Sequence, residues 1–244
     1  MKENKYDDKV FFDKYSNMDR SIKGLEGAGE WHELKQMLPD LQGKRVLDLG
    51  CGFGWHCRYA IENGATSVIG VDISEMMIKV AKSKTASDAI QYICMPIEDI
   101  SFPEASFDVV ISSLTLHYIP SFEEVLNNIK KWLTSGGEFV FSVEHPIFTA
   151  EGKQDWYYDE SGNRLHWPVD HYFTEGIRQA VFLGENITKY HKTMTTYLKS
   201  LINSGFEITG LVEPEPSDEL LQEKPDNMDE LRRPMMLLIS SRKK

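Results

Sequence analysis

Val46–Trp55 reads VLDLGCGFGW, a short apolar run that carries Asp48 and then breaks into Gly50, Gly52 and Gly54 at alternate positions. A β-rich run ending in spaced glycines constrains the fold more than any other feature of this chain. Glycines let the backbone turn tightly and approach a ligand closely. A helix that starts just after them, at Trp55, offers bare N–H groups to that ligand. The pattern predicts a strand, a binding turn and a helix in succession.

The same alternation continues along the chain. Arg45–Leu49 is predicted as a strand and Trp55–Asn63 as a helix closed by Gly64. Ser67–Val71 reads as a strand, and Ser74 caps a helix reaching about Ser83. Ile90–Cys94 and Phe107–Ser112 are further strands, and Ser121 with Glu124 makes a capping box for a helix to about Leu133. Gly136 and Gly137 turn the chain into a fifth strand, Glu138–Val143. Later, a helix over Met194–Asn203 ends at Gly205, and strands follow at Phe206–Val212 and Met235–Ser240. Before the core, one helix is expected around Leu25–Leu38, stopped near Pro39. Short strands alternating with helices imply an α/β fold, a doubly wound and mostly parallel sheet covered on both faces.

The chain of 244 residues suits one such domain. Residues 1–43 form a polar, aromatic-spotted helical arm or flap, 44–146 the ligand-binding core, 147–190 an insertion, and 191–244 the closing helix and strands. The insertion is rich in Trp156, Tyr157, Tyr158, Trp167, Tyr172 and Phe173. Open α/β sheets bind ligands at the carboxyl ends of their strands, so the insertion reads as a lid there; a solvated loop is the other reading.

Composition narrows the partners. A net charge of −11 argues against a broad phosphate-binding face. No run has the length and apolarity of a membrane span, and the charged N-terminus has no apolar signal centre. Cys51, Cys57 and Cys94 cannot all pair and match no zinc spacing, so no metal is expected and a reducing cytoplasm is the simplest location.

A dinucleotide fingerprint, G-x-G-x-x-G, fails at its third glycine because Trp55 stands there, where close helix–strand packing needs a small residue. No Lys-Ser/Thr pair follows for a phosphate loop. Asp72, in Gly70-Val71-Asp72-Ile73-Ser74, lies at the predicted end of the second strand. An acid about twenty residues after the turn accepts both hydroxyls of a ribose.

Five segments in order, DLGCGFG from Asp48, VDIS from Val71, IEDISFPEASFDVV from Ile97, LHYI from Leu116 and GGEFVFS from Gly136, resemble the class I S-adenosylmethionine-dependent methyltransferases. The likeness is greatest to the type-11 small-molecule group that includes quinone-biosynthesis enzymes, and it covers about residues 44–145. It implies a seven-stranded Rossmann-like sheet whose last strand is antiparallel, with S-adenosyl-L-methionine across the strand ends. It further implies that Asp48, Gly50, Cys51, Gly52 and Gly54 hold the methionine part of the cofactor. Asp72 then takes the ribose, Ile73 packs on adenine, and Ile97, Glu98 and Asp99 meet the adenine edge. Ser112 and Ser113 line the methionine group. Where the family often has an acid, this chain has Pro96, which offers no carboxylate and no backbone donor.

A sulfonium methyl is already activated, so such an enzyme mostly aligns two partners, and a base is needed only when the nucleophile must lose a proton. His145, directly after the fifth strand, and His191, where the insertion rejoins the core, are the candidate catalytic residues. Tyr15, Arg20, His117, Trp156, Trp167 and Tyr172 are candidate substrate contacts; His117 can equally pack beneath the strand-four loop. The expected activity is in-line methyl transfer to a small, partly apolar or aromatic acceptor, by a monomer or homodimer. The alternatives are a non-catalytic S-adenosylmethionine-binding protein, or a methyltransferase acting on RNA or protein. The insertion's aromatics form either a pocket wall or a dimer interface.

Overall fold

The first strand of the core, β1 (Arg45–Leu49), lies between the strands β2 (Ser67–Asp72) and β4 (Phe107–Ser113) and is parallel to both. The computed structural model describes residues 4–223 and 225–244. The sheet has seven strands in the order β10-β11-β5-β4-β1-β2-β3, where β3 is Ile90–Cys94, β5 Leu133–Glu144, β10 Phe206–Val212 and β11 Met236–Lys243. Only β11 runs against its neighbours, being antiparallel to both β5 and β10. The mostly parallel sheet with an antiparallel last strand is therefore as expected.

Alternation along each strand distributes the core between two faces. On β1, Leu47 and Leu49 face one cluster with Val110, Phe139 and Phe141. That side is covered by α6 (Phe122–Trp132) and α8 (Met194–Asn203) through Leu126, Ile129, Tyr197 and Leu201. In α6 the buried Phe122, Val125, Leu126 and Ile129 recur at helical spacing. Val46 faces the other cluster, where Cys57 and Ala60 of α4 (Trp55–Glu62) pack with Ile78 and Ala81 of α5 (Glu75–Ser83). Ser74 caps α5 by accepting the Met77 N–H, and Ser121 caps α6 by accepting the Glu124 N–H.

The N-terminal arm contains α1 (Lys9–Ser16), α2 (Asp19–Ile22) and α3 (Trp31–Met37). The single helix expected over Leu25–Leu38 is not formed. Only Trp31–Met37 is α-helical, because Gly24, Gly27 and Gly29 make the preceding stretch costly as helix, and Gly24–Gly27 forms a 3-10 turn instead. Trp31 and Leu34 of α3 pack on Val140 and Leu238 of β5 and β11.

β5 also departs from expectation by starting at Leu133 rather than Glu138. Leu133 pairs with Phe107, and the register slips before Val109 pairs with Glu138, with Gly136 at φ +73° taking up the slack.

The insertion holds α7 (Pro146–Ala150) and two antiparallel hairpins. One is β6 (Tyr157–Tyr158) with β7 (Arg164–His166), and the other β8 (Gly176–Phe182) with β9 (Glu185–His191). After β10, a short α9 (Asp218–Glu223) precedes the return strand β11. No helix among the described residues is long and apolar enough to cross a membrane.

Candidate active site

The carboxyl ends of β1, β2, β4 and β5 open onto a cavity of about 600 Å³, within the size range of small-molecule sites. Of the residues singled out in the sequence, Gly50, Cys51, Gly52, Asp72 and Ile73 line one end, with Ile97, Glu98 and Ser113. Gly52 has φ +49°, and a Cβ placed there would meet nothing within 4 Å, so the glycine leaves room for an occupant. Asp72 is held toward this space by two backbone donors, Gly52 N–H to Oδ2 and Ser74 N–H to Oδ1, each 2.9 Å. Burial pushes its pKa up to about 6 despite those donors.

Four of the expected cofactor residues lie outside the lining. Asp48 shares the strand face of Val46, so its side chain points beneath the turn, where the Cys57 thiol donates to Oδ2 at 3.2 Å. Its other oxygen, Oδ1, has no partner among the described residues, and burial pushes the carboxyl up to about 7. Gly54 sets the start of α4 at φ +71°, and a Cβ there would strike the Tyr92 hydroxyl at 2.2 Å, so its role is packing. Ser112 turns into the sheet and donates to the Leu49 carbonyl at 2.8 Å. Asp99 closes the Pro96–Asp99 turn through its backbone N–H, leaving Ile97 and Glu98 to face the space.

The arm and the β8–β9 hairpin roof the cavity together. Tyr6, Tyr15 and Arg20 line it from the arm, and Phe182, Ile187 and Tyr190 from the hairpin. Phe11 meets Phe182 edge to face, Lys14 donates to the Leu183 carbonyl, and Lys5 and Lys14 both reach Glu185. Asp7 fastens the arm to the start of α5, accepting from the Ser74 hydroxyl and from the Met76 N–H at 3.1 Å. Burial alone would raise its carboxyl, but these bonds together bring it below the usual range.

Sequence reading missed Glu30, which sits in the unremarkable stretch GAGEWHEL. It is 1 % exposed, pairs with Arg20 at 2.5 Å and accepts from the Ser113 hydroxyl at 3.2 Å. Burial alone would raise its pKa, but the Arg20 charge brings it below the usual range, and its Oε2 has no partner among the described residues. Tyr118 and Glu144 were missed as well. The Tyr118 and Tyr6 hydroxyls lie 3.3 Å apart, and burial raises both above the ordinary phenol value, so both stay protonated. Glu144 lines the cavity, takes a 2.6 Å bond from Lys189 and another from Gln154; burial would raise its carboxyl, but the Lys189 charge and these bonds bring it below the usual range.

Neither candidate catalytic histidine lines the cavity. His145 is the cap of α7: its Nδ1 accepts the Ile147 N–H at 3.0 Å, and its Nε2 lies 2.7 Å from the Glu213 carboxylate. His191 is 1 % exposed and uses both ring nitrogens, on Thr149 Oγ1 and the Tyr172 carbonyl, each at 2.8 Å. His117 does line it. Its Nδ1 accepts the Glu144 N–H at 3.3 Å, and burial pushes the imidazole down to about 3.

The insertion's aromatics are also elsewhere. Trp167 stacks on Phe148 at 4.9 Å and meets Trp156 edge to face, and the Arg233 guanidinium lies 4.4 Å over Trp167. Arg232 lies over Trp156 at 4.6 Å. This cluster clasps the segment leading into β11, and Tyr172 ties His191 and the Met194 N–H at the hairpin base. Cation–π contacts thus account for Trp156 and Trp167, while Tyr157, Tyr158 and Phe173 are exposed.

Comparison with known proteins agrees with this geometry. A family model described as "Methyltransferase domain" matches residues 47–141. A structure from Listeria monocytogenes, solved as a candidate S-adenosylmethionine-dependent methyltransferase, is 56% identical. It has a TM-score of 0.86, over 91% of this chain and 99% of that one. A Mesorhizobium loti S-adenosylmethionine-dependent methyltransferase is 42% identical, with a TM-score of 0.84, over 90% and 100% of the two chains. A Coxiella burnetii ubiquinone biosynthesis O-methyltransferase is 34% identical over 45% of this chain and 47% of its own length.

Proposed function

The chain belongs to the class I S-adenosylmethionine-dependent methyltransferases, and from that premise we propose that it methylates a small, partly apolar or aromatic metabolite by in-line displacement. The observation that carries this reading is the single roofed cavity with two unlike ends. One end offers the glycine cradle and a fixed carboxylate. The other is walled by Phe182, Ile187, Tyr190 and Met235, with Tyr118 and His117 beside them.

The residues at the first end fit S-adenosylmethionine. The space over Gly52 admits close backbone approach, and the orphaned Glu30 Oε2 beside Arg20 suits an ammonium and a carboxylate, the two ends of an amino acid. In this reading Asp72 takes the ribose hydroxyls, Ile73 and Ile97 sandwich the adenine region, and Glu98 meets its edge. Bound there, the cofactor supplies a methyl group already activated by its sulfonium. The chain's own work is alignment and exclusion of water, and alignment alone can lower a barrier by about 7–11 kcal/mol. The arm and hairpin supply the exclusion, and the neutral tyrosines supply polar handles on apolar walls.

Two features favour a small acceptor over RNA or protein. The far end is covered by the arm and hairpin rather than open as a groove, and the charge of −11 disfavours a polyanion. The Coxiella relative's name is that of an enzyme of small-molecule O-methylation. The test is a screen of fractionated metabolite pools with isotopically labelled S-adenosylmethionine. Label is expected in a small organic product, and it should fall when Tyr190 or Phe182 is changed to Ala. Label appearing only in RNA or protein would overturn the reading.

A further inference from the structure

The His117 ring lines the cavity, and its Nδ1 sits 3.3 Å from the backbone nitrogen of Glu144. A backbone N–H can only donate, so Nδ1 must hold a lone pair. The imidazole is therefore neutral with its proton on Nε2, and among the described residues the ring's one hydrogen bond is that at Nδ1. A histidine locked in this form cannot take a proton at Nε2. It can only give a hydrogen bond.

Every other polar group near it points the same way. Tyr6 and Tyr118 are protonated phenols. Glu144 is committed to Lys189 and Gln154, and Arg20 to Glu30. Lys192, 5 % exposed, gives hydrogen bonds to the carbonyls of Ile119 and Tyr190, both cavity residues. Burial lowers the Lys192 ammonium to about 8, with Glu175 acting in the other direction, and an anion nearby would favour its charged form. The acceptor end thus carries hydrogen-bond donors, with a buried ammonium behind its wall.

We propose that His117 Nε2–H anchors an anionic oxygen of the methyl acceptor, so that the acceptor is an oxyanion: a carboxylate, or an enol or phenol already ionised when it binds. The inference rests on the small-acceptor reading above and names the class of molecule that reading needs. The bookkeeping of the step is consistent. The oxyanion's lone pair forms the new C–O bond, the C–S bond breaks with its pair left on sulfur, and the two charges cancel with no proton to remove. An ammonium acceptor would instead face the Nε2 proton and the Lys192 charge.

Two measurements on the full chain test this. In protein labelled with 15N-histidine and loaded with S-adenosylhomocysteine, the signal lost in His117→Gln identifies His117. It should report the neutral Nε2–H tautomer, unchanged from about pH 5.5 to about pH 8.5. An Nδ1–H tautomer, or titration within that range, overturns the assignment. In calorimetry on the same complex, benzoate should bind about tenfold more tightly than benzamide or benzylamine, the worth of a hydrogen bond to a charged group. His117→Gln, which keeps an N–H donor, should retain that preference, and His117→Phe should lose it. Binding of the three probes without preference for benzoate defeats the oxyanion proposal alone. Binding of none of them, while S-adenosylhomocysteine binds normally, defeats the small aromatic acceptor and the oxyanion with it.

Discussion

Asp72 accepts the backbone N–H of Gly52 through Oδ2 at 2.9 Å, tying the end of the second strand to the glycine turn that ends the first. The bond orients the carboxylate while leaving each oxygen further lone pairs. Asp72→Ala is expected to weaken S-adenosylhomocysteine binding by about 10- to 100-fold, since each hydrogen bond to a charged acceptor is worth about 1.5–3 kcal/mol. Gly52→Val should abolish binding by filling the cradle and by forcing a β-branched residue to φ +49°. Calorimetry checks both; unchanged affinity in either variant removes the assignment.

The same carboxylate makes binding depend on pH. Its pKa in the folded protein is about 6, so it is ionised above that and protonated below. Affinity for S-adenosylhomocysteine is expected to fall as pH drops through about 6, and Asp72→Asn should flatten that part of the curve. A wild-type curve with no inflection between about pH 5 and pH 7 contradicts this role.

Asp48 carries a separate stability effect. Its folded pKa is raised from 3.8 to about 7 by burial. Below 3.8 both folded and unfolded states are protonated and nothing is lost. As pH rises toward about 7 the unfolded state ionises first, and native stability declines. Asp48→Asn removes that dependence, so its melting temperature relative to wild type should climb between about pH 4 and pH 7, by an amount equivalent to a few kcal/mol. A pH-independent difference between the two proteins would count against it.

Asp7 clasps the arm to α5, and its lowered pKa means the clasp is present above the usual carboxylate range and lost as pH falls through it. Asp7→Ala should speed proteolysis within residues 4–22 at neutral pH, and S-adenosylhomocysteine should slow cleavage more in wild type than in the variant. Equal digestion patterns would show that the arm is held elsewhere.

Trp167 belongs to the clasp on Arg233, not to the cavity. Trp167→Ala is expected to cost about 1–3 kcal/mol of stability and to leave S-adenosylhomocysteine affinity within about twofold of wild type. Thermal melts and calorimetry in parallel separate these effects. A large affinity loss without destabilisation would return the aromatic cluster to the site.

What the sequence determined by itself is everything governed by short range. Apolar runs with period two, capping serines and turn glycines act over a few residues, so β1, α4, α5, α6 and α8 were legible. So were Gly52, Asp72, Ile73, Ile97 and Ser113 as neighbours at one strand edge, because parallel β–turn–α units bring their strand ends together.

Tertiary structure decided the rest, because the partners are far apart in the chain. Packing of α4 and α5 on the Val46 face placed Asp48 under the turn, on Cys57. Long-range pairing took His145 to Glu213 and His191 to Thr149 and Tyr172, removing both from the cavity. The roof was assigned by how the arm met the β8–β9 hairpin, Phe11 on Phe182 and Lys14 on Leu183, rather than by the density of aromatics between Trp156 and Phe173. Of those rings, Trp156 and Trp167 had found Arg232 and Arg233, more than sixty positions along the chain, while Tyr157 and Phe173 stayed exposed. Aromatic content does not specify which rings are buried or which surface they reach; that depends on the path of the whole chain, and that path put His117, not His145 or His191, in the cavity lining.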